Sequence, residues 1–278
     1  MTVVVSVKVT DGIVLAADSA ATFVGAGDAP FKIYNHANKI FNLVRGWPVG
    51  AMVYGSGGIG AASVETLTKD LRTRFQMDGG EYSLVRETYT VEDVAKKARK
   101  WLFEEHYLRS YPQPPADFFM GYRVCGYSPD AALAEAWEFR IIGADCDEPQ
   151  LVQGQPEFGV RWAGENETLD RLLFGATGAI RTLLMEKGFS EEAADAFYGE
   201  LIQRFGASLV IPSMPIQDAI EVARFAVETA GKFARYGMRP ETIGGPTEVA
   251  AITKHEGFKW VARKHYYSAD LNQETDHV

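Results

Sequence analysis

The sequence is poor in cysteine and histidine, the side chains that most often build disulfide frameworks and metal sites. Its 278 residues include two cysteines and five histidines. Cys125 and Cys146 are too few for a disulfide framework and do not form a C-x-x-C pair. We expect two reduced thiols in a cytoplasmic protein, with a single bridge between them as the alternative. The histidines lack a ligand spacing such as H-x-x-x-H, so we expect no metal.

Long apolar runs and clusters of positive charge are also missing. No apolar stretch reaches the roughly 18 residues that a membrane-spanning helix needs. The apolar N-terminus alternates and contains Lys8 and Asp11, which favours a folded strand over a secretion signal. The 37 Asp and Glu residues outnumber the 28 Lys and Arg residues, giving a net charge of −9. Because a negative field repels phosphate backbones and anionic lipids, we expect neither nucleic acid nor a membrane surface as a partner.

Apolar residues with regular periodicity are abundant, at 46% of the chain, which is ample for a packed core. The predicted order is four strands, two helices, about three strands, three helices and two strands. Helices that follow one another, instead of alternating with strands, favour antiparallel sheets with helices packed outside. We therefore predict an α+β fold in one domain over residues 1–267, followed by a polar tail over residues 268–278.

Element boundaries follow from periodicity and turn residues. The predicted strands cover residues 2–10, 13–19, 39–44, 49–54, 117–126, 132–143, 157–163, 248–254 and 258–263. The predicted helices cover residues 58–75, 91–108, 167–187, 190–206 and 215–236. Residues 23–37 are predicted to form a loop, since they include two glycines and a proline.

The first hairpin decides how close Thr2 lies to Asp18. Asp11-Gly12 predicts a two-residue turn, because both central residues of a type I′ turn need positive φ. This register puts Asp18 opposite Val5, three residues or about 10 Å from Thr2. It also puts the two side chains on different faces, so the prediction requires a bulge or a bent terminus.

Thr2, Asp18 and Lys39 together supply the parts of an N-terminal nucleophile. A small residue after Met1 permits removal of that methionine, which frees the amine of Thr2. A threonine hydroxyl needs an adjacent base, and an α-amine with a pKa of about 7.7–8.0 can accept its proton. Lys39 would push the amine toward its neutral form, and Asp18 would keep Lys39 charged and oriented.

Simpler interpretations of the same residues exist. Taken singly, Thr2 is an ordinary second residue, Asp18 a strand-end turn residue and Lys39 a solvated strand terminus. Residues 55–60 (GSGGIG) also fit the dinucleotide fingerprint G-x-G-x-x-G. No buried parallel strand follows the next helix, and no acidic residue stands out about 20 positions further on. Close approach of a peptide backbone is the better explanation of these glycines.

The N-terminal segment resembles proteasome β-type subunits. The resemblance rests on Thr2, the hairpin after it, the segments ADSAAT, NKIF and GSGG within residues 17–58, and the sixteen positions from Thr2 to Asp18. It is specific over residues 2–60 and looser beyond. The segments GEN at 164–166 and GGP at 244–246 are similar to the bacterial single-type relatives known as the ancestral beta subunit.

This resemblance implies an N-terminal nucleophile hydrolase that folds as a four-layer αββα sandwich and cleaves peptide bonds. Thr2 would be nucleophile and base, Asp18 and Lys39 would activate it, and the Gly55 amide would stabilise the oxyanion. No cofactor is implied. The partners would be a peptide or unfolded protein as substrate and further copies of the chain in a ring or helical assembly; an ATP-driven unfoldase stays open.

The resemblance also assigns residues that would bind substrate. Thr22 and Gly57 would hydrogen-bond a peptide laid in as an extra strand, and Val53 would line the pocket for the residue before the scissile bond. Glu165 stands where many members carry a serine that braces the threonine amine, and its carboxylate would hold that amine cationic. The alternative function is a catalytically silent scaffold or binding subunit of the same fold.

Overall fold

The computed structural model describes residues 2–24, 30–238 and 241–264; Met1 and the predicted tail at 268–278 lie outside them. The strands are β1 (Val3–Val9), β2 (Gly12–Ala17), β3 (Ala21–Val24), β4 (Pro30–Tyr34), β5 (Ile40–Asn42), β6 (Val49–Gly55), β7 (Gly58–Ile59), β8 (Ala62–Ser63), β9 (Phe119–Gly126), β10 (Glu135–Ile142), β11 (Asp145–Cys146), β12 (Gln150–Gln153), β13 (Gly159–Gly164), β14 (Glu248–Thr253) and β15 (Gly257–Ala262). The helices are α1 (Val64–Phe75), α2 (Val91–Arg99), a π-helix (Lys100–Tyr107), α3 (Leu108–Ser110), α4 (Glu167–Phe174), α5 (Ala179–Glu186), α6 (Glu191–Phe205) and α7 (Ile216–Tyr236). Within these ranges, no helix is both long and apolar enough to cross a membrane.

Two antiparallel sheets and the helices beside them share the core. The first sheet has the order β13-β1-β2-β14-β15, and the second has β11-β10-β9-β6-β5 with β12 paired to β10. Buried apolar side chains fill three spaces: between the first sheet and α4 and α7, between the two sheets, and between the second sheet and α1, α2 and the π-helix. The predicted mixed α+β class with antiparallel sheets is confirmed.

The first hairpin turns one residue earlier than predicted. Val9 pairs with Gly12, so Thr10 and Asp11 form the turn and the prediction of an Asp11-Gly12 turn is wrong. Gly12 is the first residue of β2. A larger residue would not fit there, because a β-carbon would be 2.6 Å from the Ile252 carbonyl oxygen on β14. This glycine reflects the close approach of two strands and not a positive φ.

The corrected register brings Asp18 toward the N-terminus. The Asp18 amide donates to the Val3 carbonyl at 3.3 Å, so Asp18 lies opposite Val3 and not opposite Val5. The predicted gap of three residues between Thr2 and the partner of Asp18 becomes one residue. An offset of one residue is still odd, so strict alternation still places the Thr2 and Asp18 side chains on different faces of the sheet, and the bent terminus stays a prediction.

The predicted loop over residues 23–37 is also wrong in part. β3 and β4 pair antiparallel, with Thr22 opposite Ile33 and Ala21 opposite Tyr34. Two β-branched residues and a tyrosine suit a pleated strand, and this preference outweighs the glycines of the segment. Residues 25–29, where those glycines fall, lie outside the described residues.

Two predicted helices differ at their ends. α1 begins at Val64 and not at residue 58, because β7 and β8 occupy the preceding segment and Ser63 Oγ caps the helix by accepting the Thr66 amide at 3.1 Å. The helix predicted over 167–187 is two helices. Gly175 adopts a left-handed φ of +77° at the end of α4, a conformation that ends a helix and that glycine adopts without steric cost.

Two further features had no sequence prediction. The helix predicted over 91–108 contains the π-helix, whose wider turn follows α2 without a break. The short strands β11 and β12 pair with β10 and lie outside the predicted strands.

Candidate active site

A buried ion pair joins Asp18 and Lys39, which are 2% and 5% exposed. Lys39 Nζ donates to Asp18 Oδ1 at 2.6 Å, and the Val3 amide donates to the same oxygen at 3.0 Å. Oδ2 accepts the amides of Ala20 at 3.0 Å and Gly244 at 3.2 Å. Four donors therefore hold this carboxylate at a fixed place beside Lys39.

The charge of Lys39 depends on its neighbours. Burial lowers the pKa of Lys39 below its ordinary value, since removal from water disfavours the ammonium form. The negative charge and hydrogen bond of Asp18 oppose this effect, whereas the positive charge of Lys264 adds to it. The charge of Lys39 is therefore sensitive to the buried charged residues around it.

Thr2 is held at the start of β1 through its backbone and is 5% exposed. Its carbonyl accepts the Glu165 amide at 2.7 Å. Gly164 makes this contact feasible: its φ is +95°, and a β-carbon would collide with the Thr2 carbonyl oxygen. Glu165 Oε1 accepts the Glu167 amide at 3.3 Å, at the beginning of α4. Glu165 therefore lies beside Thr2, and its bracing role remains a prediction.

A cavity of about 800 Å³ brings most of the predicted site together. Six sequence-predicted residues line it: Thr2, Thr22, Lys39, Val53, Gly55 and Gly57. Asp18 is not on its lining but lies behind Lys39, and Glu165 is not on its lining. Tyr34, Asn35 and His36 also line the cavity, and sequence patterns miss their contribution because the segment has the composition of a loop.

Polar groups on the lining suit an extended ligand. Thr22 Oγ1 is buried and has no hydrogen-bond partner among the described residues. A buried hydroxyl without a partner is uncommon, because its desolvation is not compensated. Val53 is tied to the start of the Lys39 segment, since its amide donates to the Lys39 carbonyl at 3.0 Å. An apolar wall and a free hydroxyl therefore stand beside Thr2 and Lys39.

A second buried ion pair lies behind the first and was not predicted. Lys264 Nζ is 3.3 Å from Glu248 Oε2 and donates to Ser19 Oγ at 2.8 Å and to the Ala37 carbonyl at 2.5 Å. The one sequence signal for this pair is positional. Glu248 begins β14 and Lys264 follows β15, and the ends of two antiparallel hairpin strands meet.

Comparisons with known proteins place the fold. No protein-family model and no curated protein matches the sequence. Solved structures do match it. The Anbu complex of Pseudomonas aeruginosa, seen as a helical assembly, is 14% identical with a TM-score of 0.51, over 97% of this chain and 90% of that one. Anbu (ancestral beta-subunit) from Yersinia bercovieri is 13% identical with a TM-score of 0.54, over 95% and 89%. Anbu from Hyphomicrobium sp. strain MC1 is 12% identical with a TM-score of 0.52, over 95% and 88%. The chain therefore shares the fold of these proteasome-like proteins, as the N-terminal motifs predict.

Proposed function

We propose that the chain is a threonine-type peptidase, in which Thr2 attacks peptide bonds once Met1 has been removed. One observation carries the proposal. Thr2, Lys39 and Gly55 line the same cavity, and a buried carboxylate that accepts four hydrogen bonds holds Lys39 there. The shared fold with Anbu proteins agrees with this function and does not by itself establish it.

The reaction follows from these groups. Thr2 Oγ1 attacks the carbonyl carbon and its proton passes to the α-amine of Thr2, directly or through water. The Gly55 amide stabilises the oxyanion. The carbon–nitrogen bond then breaks, the leaving amine takes the proton, and an ester remains on Thr2. Water hydrolyses that ester and restores the hydroxyl. Lys39 favours the neutral, basic form of the amine, and Asp18 orients Lys39.

The substrate of this mechanism is an extended peptide or an unfolded protein. Thr22 Oγ1 has an unused hydrogen-bonding capacity in the described part of the chain, and with Gly57 it would hold the peptide backbone as an added strand. Val53 would contact the side chain before the scissile bond, which favours an apolar residue there. Glu165 would tune the amine of Thr2.

The architecture around this site completes the proposal. Three apolar layers, one between the sheets and one outside each sheet, support a four-layer αββα sandwich in one domain. The helical assembly of the Pseudomonas aeruginosa Anbu complex supports a homo-oligomer, as a ring or a helix.

The test uses a peptide epoxyketone, which needs both the hydroxyl and the amine of an N-terminal threonine. We expect intact mass to show loss of Met1 and peptide mapping to place the adduct on Thr2. Thr2→Ala should abolish the adduct and peptide hydrolysis. Thr10→Ala, at an exposed turn of the same hairpin, is the matched control and should retain both.

The other outcomes decide between the functions. Equal hydrolysis by Thr2→Ala, or an adduct at another residue, would refute Thr2 as the nucleophile. A retained Met1 in the purified oligomer would leave the amine blocked, and the scaffold alternative would then replace the peptidase.

A further inference from the structure

Lys264 is a buried cation that the proposed chemistry does not use. It is 9% exposed, and its partner Glu248 is 1% exposed. The ammonium is 3.3 Å from Glu248 Oε2, and the Lys264 amide donates to Glu248 Oε1 at 3.5 Å. Burying such a pair has a large desolvation cost, so its presence beside the first pair is not explained by stability alone.

The Lys264 ammonium connects two segments that carry catalytic groups. It donates to Ser19 Oγ, next to Asp18, and to the Ala37 carbonyl, two residues before Lys39. The Ala37 amide in turn donates to the Ser19 carbonyl at 2.9 Å. One cation therefore fixes the strand end that carries Asp18 against the segment that carries Lys39.

Ser19 extends this linkage to a third segment. Its amide donates to the Gly244 carbonyl at 2.9 Å and its hydroxyl to the Pro246 carbonyl at 2.5 Å. Gly244 also donates its amide to Asp18. The loop before β14 thus contacts both residues of the strand end, and Lys264 is bonded to the centre of this arrangement.

We propose that Lys264 is a positioning residue, which Glu248 holds in place and which orients Lys39 toward Thr2 by fixing the segments on either side of the Asp18–Lys39 pair. The inference rests on the proposed function, because it assigns Lys264 a part in the activation of Thr2. It requires no contact between Lys264 and the substrate.

The two members of the second pair act on Lys39 with opposite signs. Among the described side chains, Asp18, Lys264 and Glu248 are the charged groups that influence Lys39, and the freed amine of Thr2 adds to them in the processed protein. The positive charge of Lys264 lowers the pKa of Lys39, and the negative charge of Glu248 raises it. Removal of the Lys264 charge therefore raises the pKa of Lys39, whereas removal of the Glu248 charge lowers it.

The pH dependence of epoxyketone addition to Thr2 measures this effect. Since the mechanism needs protonated Lys39, the alkaline loss of rate follows the pKa of Lys39. We expect Lys264→Met to move this loss to higher pH and Glu248→Gln to move it to lower pH. Lys264→Arg keeps the cation and should restore the wild-type profile. Lys259→Met, at an exposed position of β15, is the matched control.

A double variant separates positioning from folding. Lys264→Met with Glu248→Gln removes both charges, so no buried charge is left unpaired and the protein should keep its thermal midpoint. The bonds from the Lys264 ammonium to Ser19 Oγ and to the Ala37 carbonyl are nevertheless lost, and only the direct backbone bond from Ala37 to Ser19 remains. We expect the double variant to react with the epoxyketone at least about tenfold more slowly, because small displacements of catalytic groups have large effects on rate.

Failure of the proposed function can be distinguished from failure of the positioning role of Lys264. If wild-type protein is not modified at Thr2, the proposed function fails. If wild-type protein is modified, and the Lys264 and Glu248 variants react at its rate with its pH profile, only the positioning role is overturned. Shifts of the alkaline limb in the same direction for both single variants would also overturn it.

Discussion

At the residue scale, Asp18 determines the geometry of the site because every hydrogen-bond partner described for its carboxylate is a donor. The amides of Val3, Ala20 and Gly244 and the ammonium of Lys39 divide between its two oxygens. Such a site selects an anion with two acceptor oxygens. An amide of the same shape would turn its NH₂ group toward two of these donors, so the site discriminates strongly against an uncharged isostere.

Asp18→Asn tests this conclusion. The substitution leaves the buried Lys39 cation without its partner and puts two donors in contact, and breaking a buried ion pair costs about 3–5 kcal/mol. We expect a loss of that size in the free energy of unfolding, measured by urea denaturation. Asp11→Asn, at the exposed hairpin turn, should change it by less than about 0.5 kcal/mol. An unchanged midpoint for Asp18→Asn would mean that the four contacts do not form together.

At the scale of elements, the register between β2 and β14 is set by the close approach at Gly12. The pairing of Ile13 with Ile252 brings the Ile252 carbonyl against Gly12, and this register also places Asp18 beside Gly244. A change at Gly12 therefore tests the strand arrangement that supports the site.

Gly12→Ala should be destabilising, because the new β-carbon would lie 2.6 Å from backbone and overpacking costs about 1–3 kcal/mol. Gly199→Ala is the matched control. Gly199 lies within α6, and a β-carbon added there would have no atom of a neighbouring element within 4 Å, so alanine should stabilise the helix by up to about 1 kcal/mol. Thermal unfolding of both variants measures the contrast. Equal midpoints would contradict the register.

Sequence patterns predict the elements better than their registers. The predicted bounds of α6 and α7 agree with the structure almost to the residue, and α7 buries Ile220, Ala223 and Val227 on one face, as apolar periodicity predicts. The turn at Thr10 and Asp11 could not be predicted from the hairpin alone. The glycine after it is required by the Ile252 carbonyl on β14, more than 200 residues away in the chain. A pattern local to the hairpin contains no information on that contact.

In the candidate site, too, some residues could be predicted from the sequence and others could not. Thr2, Asp18 and Lys39 are recognisable from residue type and order, since the chemistry needs a hydroxyl, an amine and a paired cation. Lys264 and Glu248 are not recognisable in this way. A lysine after a strand usually lies in water, and only the packing of the terminal hairpin against Ser19 and Ala37 buries it.

At the scale of the whole molecule, many exposed apolar side chains fall in one part of the chain, from α4 to Met238, two residues beyond the end of α7. These side chains, termed the helical apolar surface, are Leu172, Leu183, Met185, Phe189, Phe197, Phe205, Ile211, Phe225, Phe233, Tyr236 and Met238. Apolar side chains that gather into one exposed patch often mark a site of association, and we expect these residues to form such a patch. The net charge of −9 opposes the association of two copies, and burial of apolar side chains is the contribution that we expect to outweigh it.

We predict that copies of the chain associate through the helical apolar surface and that salt strengthens the assembly. Salt screens the repulsion between negatively charged copies within about 10 Å at 0.1 M and leaves apolar burial in place. Light scattering should therefore give a larger mass at about 0.5 M than at about 0.05 M sodium chloride.

Phe189→Glu with Phe205→Glu should yield single chains at both salt concentrations, because each carboxylate would be buried without a partner. Leu151→Glu, at an exposed position on β12, should assemble as the wild type does. Single chains of wild-type protein at every salt and protein concentration would refute the homo-oligomer. An assembly that survives the double substitution but not Leu151→Glu would place the contact on the second sheet.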